Sequence, residues 1–168
     1  MPPVSKQIVI STGETITIRT LQLGDAEAAV QALLDLAHEE PLTKHLGIPR
    51  DAHLTLYQKM VNENLHMGLS FVAVSEKSGK IIGITMNEIT GEDSDDDESV
   101  DCDDYEDNRF RIIEALLDKL DEPVNDEDSS NYLYSSNGKW LDLTLAAVAK
   151  EYSNEKIFST MLQMSFDE

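Results

Sequence analysis

The chain has 168 residues, 40% of them apolar, which is enough for one domain with a substantial core and short for two. Its formal net charge of -20, from 33 acidic and 13 basic residues, argues against nucleic-acid binding, because a phosphate backbone requires a basic face. A single cysteine, Cys102, excludes an internal disulfide, and no apolar run is long enough to cross a membrane. We therefore expect one soluble, cytoplasmic domain, residues 1–168, with no secretory signal in its first residues.

The N-terminal part predicts one strand followed by two helices. Over residues 15–21, β-branched side chains alternate with polar ones, which is typical of a half-buried strand. Apolar residues then recur at helical spacing from Asp25 until Pro41, which stops a helix. The same spacing returns from Asp51, the expected cap of a second helix, as far as Gly68.

The rest of the chain predicts a hairpin, a helix, a strand and a final helix. Two apolar runs, 71–74 and 81–86, flank a turn and predict a β-hairpin. An amphipathic pattern predicts a helix over about 108–121, and 132–134 could add a short strand. An apolar strand, 141–148, then leads into a helix from Ile157. This order of elements predicts a mixed α/β or α+β fold.

Residues 92–107 contain eleven Asp or Glu among sixteen, a density that predicts a disordered acidic insert on the surface. They do not form an EF-hand calcium loop, because Glu98 stands where that loop requires glycine. The four histidines are too far apart in sequence to form a helical zinc pair. We therefore expect no metal site, whereas a basic protein partner for the insert stays an open alternative.

Three segments resemble the GNAT superfamily of N-acetyltransferases, in particular its insect arylalkylamine branch. They are Glu-Glu-Pro-Leu at 39–42, Gly-Leu-Ser-Phe-Val-Ala-Val at 68–74, and the apolar run 145–148 that continues through Tyr152 to Ile157, as in the family's motif A. The resemblance spans about residues 16–164. It implies a GNAT-like mixed, mostly antiparallel sheet with helices on both faces, without the C-terminal elements of the family.

The resemblance also implies a reaction and a set of site residues. The reaction is acetyl transfer from acetyl-CoA to a small primary amine such as an arylalkylamine, with Glu40 as the general base. The alternative for Glu40 is that it is an ordinary solvated side chain at a helix end, beside a proline. The backbone at Ala146 and Val148 would hold the pantetheine. The pyrophosphate would lie on the turn that contains Ser153, Asn154, Glu155, Lys156 and Phe158.

The same turn departs from the family pattern and leaves other functions open. Lys156 and Phe158 stand where the family has small residues, so their side chains would keep backbone N–H groups away from an anion. Glu155 would add a negative charge that faces the phosphates, and Ser153 could simply cap the last helix. An inactive or truncated pseudoenzyme is therefore one alternative, and an acidic protein-interaction module is another. An open strand edge at 141–148 would favour a homodimer.

Overall fold

The computed structural model describes residues 4–91, 109–121 and 139–167. The acidic insert at 92–107 and the short strand suggested at 132–134 lie outside the described residues. Short 3-10 turns cover Leu23–Asp25 and Lys150–Tyr152. The strands and α-helices are β1 (Ser5–Val9), β2 (Thr15–Thr20), α1 (Ala26–Glu39), α2 (Pro41–Leu46), α3 (Arg50–Leu65), β3 (Phe71–Ser75), β4 (Ile81–Gly91), α4 (Arg109–Asp121), β5 (Lys139–Val148) and α5 (Ile157–Asp167).

The strands form one sheet in the order β1-β2-β3-β4-β5, so each strand pairs with its neighbours in sequence. The β1–β2, β2–β3 and β3–β4 pairs are antiparallel. β4 and β5 also run in opposite directions, since the N–H of Ala149, just after β5, donates to the C=O of Ile82 near the start of β4. The sheet confirms the mixed, mostly antiparallel fold predicted from the sequence.

Helices cover both faces of this sheet. α1 and α3 pack on the face that carries Val72, Ile84 and Met86. α5 packs on the opposite face, against Ile16, Ile18 and Phe71. Burying each such side chain contributes on the order of 1.5–3 kcal/mol, so the two apolar clusters hold the layers together. The three-layer arrangement leaves β5 as the last strand of the sheet.

Several local predictions needed correction. β1 was not predicted, because its residues are mostly exposed and lack an apolar alternation. Pro41 ends α1 but also begins the short helix α2, since proline is well suited to a first helical position. α3 begins at Arg50 with Pro49 as its cap, two residues before the predicted cap Asp51. The hairpin β3–β4 and the helices α1, α4 and α5 match the prediction within a few residues.

A buried polar network joins β4 to its neighbours. The Asn87 amide nitrogen donates to the C=O of Leu69 at 2.8 Å and to the hydroxyl of Ser165 in α5 at 3.0 Å. The Asn87 backbone N–H donates to the Ser70 hydroxyl, which in turn donates to Asn64 of α3. Within the described residues, the Asn87 Oδ1 atom is buried without a hydrogen-bond partner. The network thus ties helices on both faces to the same strand.

The chain separates into two compact units. The first contains Met1–Glu88 and Asp142–Glu168, and the second contains Ile89–Leu141. Of the second unit, the structure describes the end of β4, α4 and the start of β5. No helix among the residues with described positions is long and apolar enough to cross a membrane. All candidate site residues belong to the first unit.

The close approach of β4 and β5 at Gly83 gives a test of the fold. A Cβ atom at Gly83 would lie 3.3 Å from the Val148 Cγ2 atom and 3.4 Å from the Ala147 carbonyl oxygen. We expect Gly83→Val to lower the free energy of unfolding by about 1–3 kcal/mol, because the added branch must push β5 away from β4. Urea denaturation measures it, with Gly24→Val as the control, since a Cβ at Gly24 would meet nothing within 4 Å. Equal stability of the two variants would contradict this packing.

Candidate functional site

Glu40 lies at the corner between α1 and α2 and acts as the N-cap of α2. Its Oε1 atom accepts the Leu42 N–H at 3.0 Å, and its Oε2 atom accepts the Thr43 N–H at 2.5 Å. Because proline follows Glu40, its backbone is extended and its side chain folds back over the first turn of the helix. The Glu40 carboxylate is therefore held by the helix it caps, while Glu40 itself is exposed to solvent.

The pKa of the Glu40 carboxyl lies below its ordinary value. Partial burial acts to raise this pKa, but the backbone N–H groups of Thr43 and Leu42, the Thr43 hydroxyl and the nearby His53 together lower it more. Glu40 is consequently ionised at neutral pH. Each of its oxygens retains a lone pair that a water molecule or an ammonium group can use.

Two buried aromatic side chains of α3 lie near this corner. The His53 and Tyr57 rings stack at 5.5 Å between centroids, and the two residues are only 4% and 8% exposed. Burial, and secondarily the negative charge of Glu40, raises the pKa of Tyr57 to about 12. From the sequence, His53 was expected to be an isolated histidine, and its stacking on Tyr57 was not predicted. Its only signal was its position four residues before Tyr57 on one helix.

The outer edge of β5 carries the backbone groups of Ala146 and Val148. The Ala149 N–H points to β4, and backbone groups alternate along a strand, so those of residues 146 and 148 point away from β4. In the order of the described strands, no strand follows β5 on that side. The Ala146 side chain is exposed and that of Val148 is half-buried. An extended ligand could therefore pair with this edge.

The chain from Ser153 to Phe158, here called the coenzyme turn, connects β5 to α5. Asn154 and Lys156 both have positive φ angles, 66° and 62°, in the left-handed region that favours glycine. Lys156 is the residue that replaces the first glycine of the family pattern. The backbone curvature of a glycine-containing turn is thus present without the glycine.

The side chains of the coenzyme turn differ from the sequence expectation in two respects. The Glu155 carboxylate accepts the N–H and the hydroxyl of Ser11, a contact that the sequence did not indicate. These two hydrogen bonds also lower the pKa of Glu155. Ser153 does not cap α5: it lies four residues before Ile157, and its N–H donates to the C=O of Lys150. The Phe158 ring is 42% exposed.

The structure brings some of the predicted residues together and separates others. Ala146, Val148 and the coenzyme turn are consecutive, at the end of β5 where α5 begins. Glu40 belongs to the opposite face of the sheet, with α1 and α3. The pKa of the adjacent Glu39 is lowered chiefly by Lys44, with smaller contributions from His38 and from Lys150, which directly follows β5.

Two other features of the described residues add no residue to the candidate site. A cleft of about 400 Å³ is lined by Gln31, Leu34, Arg50, Asp51 and Leu54 and contains none of the candidate residues. The Arg50 guanidinium there is already paired with Asp35 at 2.6 Å. In the ranges 4–91, 109–121 and 139–167, no three His, Cys, Asp or Glu side chains come together as metal ligands. The Glu40 corner and the end of β5 thus remain the candidate site.

Comparison with solved structures identifies the fold. Arylalkylamine N-acetyltransferase 2 from Aedes aegypti matches with a TM-score of 0.68 and 20% identity, over 90% of this chain and 69% of that chain. An agmatine N-acetyltransferase matches with a TM-score of 0.66 and 19% identity, over the same shares. The Drosophila melanogaster polyamine N-acetyltransferase, which forms N-acetylagmatine, matches with a TM-score of 0.65 and 19% identity, over 90% and 69%. No family model and no curated protein sequence matches. The fold is therefore the GNAT fold of these enzymes, as the sequence resemblance predicted.

The left-handed backbone at Lys156 can be tested directly. An L-residue with a side chain costs about 1–2 kcal/mol in this conformation, whereas glycine does not. We expect Lys156→Gly to raise the free energy of unfolding by about 1 kcal/mol in urea denaturation, and Lys156→Ala to give no such gain, because alanine keeps the Cβ atom. Equal stability of the glycine and alanine variants would show that the turn has a different backbone.

Proposed function

We propose that this chain is an N-acetyltransferase that transfers the acetyl group of acetyl-CoA to a small primary amine. The observation that carries the proposal is the left-handed backbone at Lys156, beside the outward-facing edge of β5. The three compared enzymes act on arylalkylamines, agmatine and polyamines, which supports an amine as the acceptor. An arylalkylamine is the acceptor class we favour, by the resemblance of residues 39–42.

The residues at the end of β5 fit acetyl-CoA better than the sequence suggested. Ala146 and Val148 would pair with the pantetheine amides through their outward N–H and C=O groups. The coenzyme turn, with Ser153, Asn154, Glu155, Lys156 and Phe158, would take the pyrophosphate at the first turn of α5, whose N–H groups favour an anion. Glu155 opposes the phosphates less than expected, because Ser11 holds its carboxylate. The Lys156 ammonium adds a favourable charge.

Glu40 would be the general base of the reaction. Acetyl-CoA, when bound, would supply the acetyl group: its C–S bond would break as the C–N bond forms, and the coenzyme would leave as the thiol, with the proton that the amine nitrogen loses on acylation. Glu40, a carboxylate at neutral pH, would accept the proton of the substrate ammonium, directly or through one water molecule. The N–H groups of Leu42 and Thr43 fix the carboxylate in place for this transfer. The buried His53 and Tyr57 would form the wall behind it.

A second candidate is a GNAT-fold protein without activity. Two observations favour it: the Lys156 and Phe158 side chains stand at positions where the family has small residues, and both Glu40 oxygens already accept hydrogen bonds. A third candidate, a module whose acidic insert at 92–107 binds a basic protein, rests on charge alone. The affinity of such binding would fall as the salt concentration rises and would not change when acetyl-CoA is added.

Calorimetry followed by an activity assay separates these functions. We expect acetyl-CoA to bind the full chain one-to-one, more tightly at moderate than at low salt, because the net charge of -20 repels the polyanion. With 2-phenylethylamine or agmatine as acceptor, Glu40→Gln should lower kcat by about 10²–10⁴-fold, the usual contribution of a general base. Glu39→Gln is the matched control, since Glu39 is an exposed neighbour paired with Lys44. It should change kcat less than about threefold.

Three different results would contradict the proposed enzymatic function, and each points to a different explanation. Absence of binding at millimolar acetyl-CoA would favour the inactive protein and direct attention to partners of the acidic insert. Binding without turnover of either amine would leave a coenzyme-binding protein without the proposed reaction. Turnover that survives in Glu40→Gln would remove Glu40 from the role of base.

We further propose that the outer edge of β5, residues 141–148, pairs with a second copy when no coenzyme is bound. Antiparallel pairing centred on Leu145 would place Thr144 opposite Ala146 of the partner and keep the two Asp142 side chains apart. Ala146→Pro should abolish both dimer formation and acetyl-CoA binding, because it removes an outward N–H that the sheet itself does not use. Ala146→Gly, which keeps the N–H, is the control. Sedimentation velocity would show a monomer for every variant if the edge does not self-associate.

A further inference from the structure

Ser11 lies 144 residues before Glu155 in sequence, yet contacts both oxygens of its carboxylate. The Ser11 N–H donates to the Glu155 Oε2 atom at 2.8 Å, and the Ser11 hydroxyl donates to the Oε1 atom. One residue of the β1–β2 turn thus donates two hydrogen bonds to one residue of the coenzyme turn. Hydrogen bonds to a charged group are stronger than those between neutral groups. We call this pair the Ser11–Glu155 clamp.

The β1–β2 turn that presents Ser11 is itself well fixed. The Ile10 N–H donates to the C=O of Glu14 at 3.0 Å, and the Gly13 N–H donates to the C=O of Ile10 at 2.9 Å. Gly13 has a φ angle of 82°, which only glycine adopts without strain. The Glu14 side chain accepts the hydroxyl of Ser75, at the end of β3, at 2.5 Å. The clamp therefore connects the coenzyme turn to the rigid end of the sheet.

Glu155 is flanked on both sides by residues in an unfavourable backbone conformation. Asn154 and Lys156 have φ angles of 66° and 62°, and such conformations persist where surrounding contacts impose them. The contacts of Glu155 with Ser11 act at the residue between these two. Loss of the clamp would let this backbone relax toward ordinary φ angles and would free the Glu155 charge to approach a bound anion.

We infer that Ser11 is a positioning residue for the coenzyme turn: it fixes the left-handed backbone of the turn and keeps the Glu155 carboxylate away from the phosphate groups of the ligand. The expected effect of Ser11 on ligand binding rests on the proposed function. The ordering of the turn itself does not, because the clamp consists only of residues of this chain. The two statements can therefore be tested separately.

Hydrogen exchange of the ligand-free chain tests the ordering. In Ser11→Ala, which loses the hydroxyl and keeps the N–H, amides of residues 153–158 should exchange about fivefold faster, the change expected for one net hydrogen bond. Ser11→Thr keeps both donors and should exchange like the wild type. Thr12→Ala, at the exposed neighbouring position, is the second control. Glu155→Gln should match Ser11→Ala, and the double variant should add little, because the residues act as a pair.

Calorimetry with acetyl-CoA tests the positioning role on the same variants. Ser11→Ala should raise the Kd about fivefold or more while circular dichroism shows the fold intact, and Ser11→Thr should leave the Kd unchanged. Unchanged exchange at 153–158 in Ser11→Ala would overturn the inference. So would faster exchange with an unchanged Kd, which would make the clamp merely structural. If the wild type binds no acetyl-CoA, the proposed function fails, and the ordering by Ser11 is judged by the exchange data alone.

Discussion

Strand β3 is buried on both faces, and the layers on either side depend on this burial. Phe71 and Ala73 point to the cluster beneath α5, and Val72 points to the cluster beneath α1 and α3; all three are fully buried. A five-residue strand with no face toward water can exist only inside a three-layer arrangement. The sheet then grows outward by antiparallel pairing on both sides, and β5 becomes its outermost strand. The end of β5 and its open edge, where the ligand is proposed to bind, therefore follow from how β3 is packed.

The candidate site combines parts that are held by different forces. Glu40 is fixed by helix capping, a local effect within four residues of chain. The coenzyme turn makes a long-range contact with the β1–β2 turn, and Lys156 holds a left-handed conformation that lysine rarely adopts. A local cap survives most changes elsewhere in a protein. A strained turn depends on the intactness of its distant support, so we regard the turn as the more sensitive half of the site.

Elements that depend on a local residue pattern could be predicted from the sequence. Contacts between residues that are far apart in the chain could not. The β3–β4 hairpin was predictable because apolar runs flank a turn with Gly79, and α1 because its apolar stripe ends at Pro41. The resemblance of residues 39–42 led to Glu40, but the capping geometry there was not foreseen. The contact of Glu155 with Ser11 could not be predicted, because Ser11 is in a hairpin whose first strand has no apolar alternation. A left-handed φ at Lys156 could not be read from a lysine, since lysine normally avoids it.

The polar network at Asn87 has a consequence for the position of α5 along its own axis. The apolar contacts of α5 include those of Met161 and Met164, whose flexible side chains accommodate small displacements and specify position weakly. The hydrogen bond from Asn87 to Ser165 tolerates no such displacement, because a slide of one helical turn, about 5.4 Å, would break it and leave the buried Asn87 amide with its Leu69 partner alone. The coenzyme turn is the N-terminal extension of the same helix. A single amide of β4 thus sets how far the N-terminal end of α5, about two turns from Ser165, projects beyond the sheet.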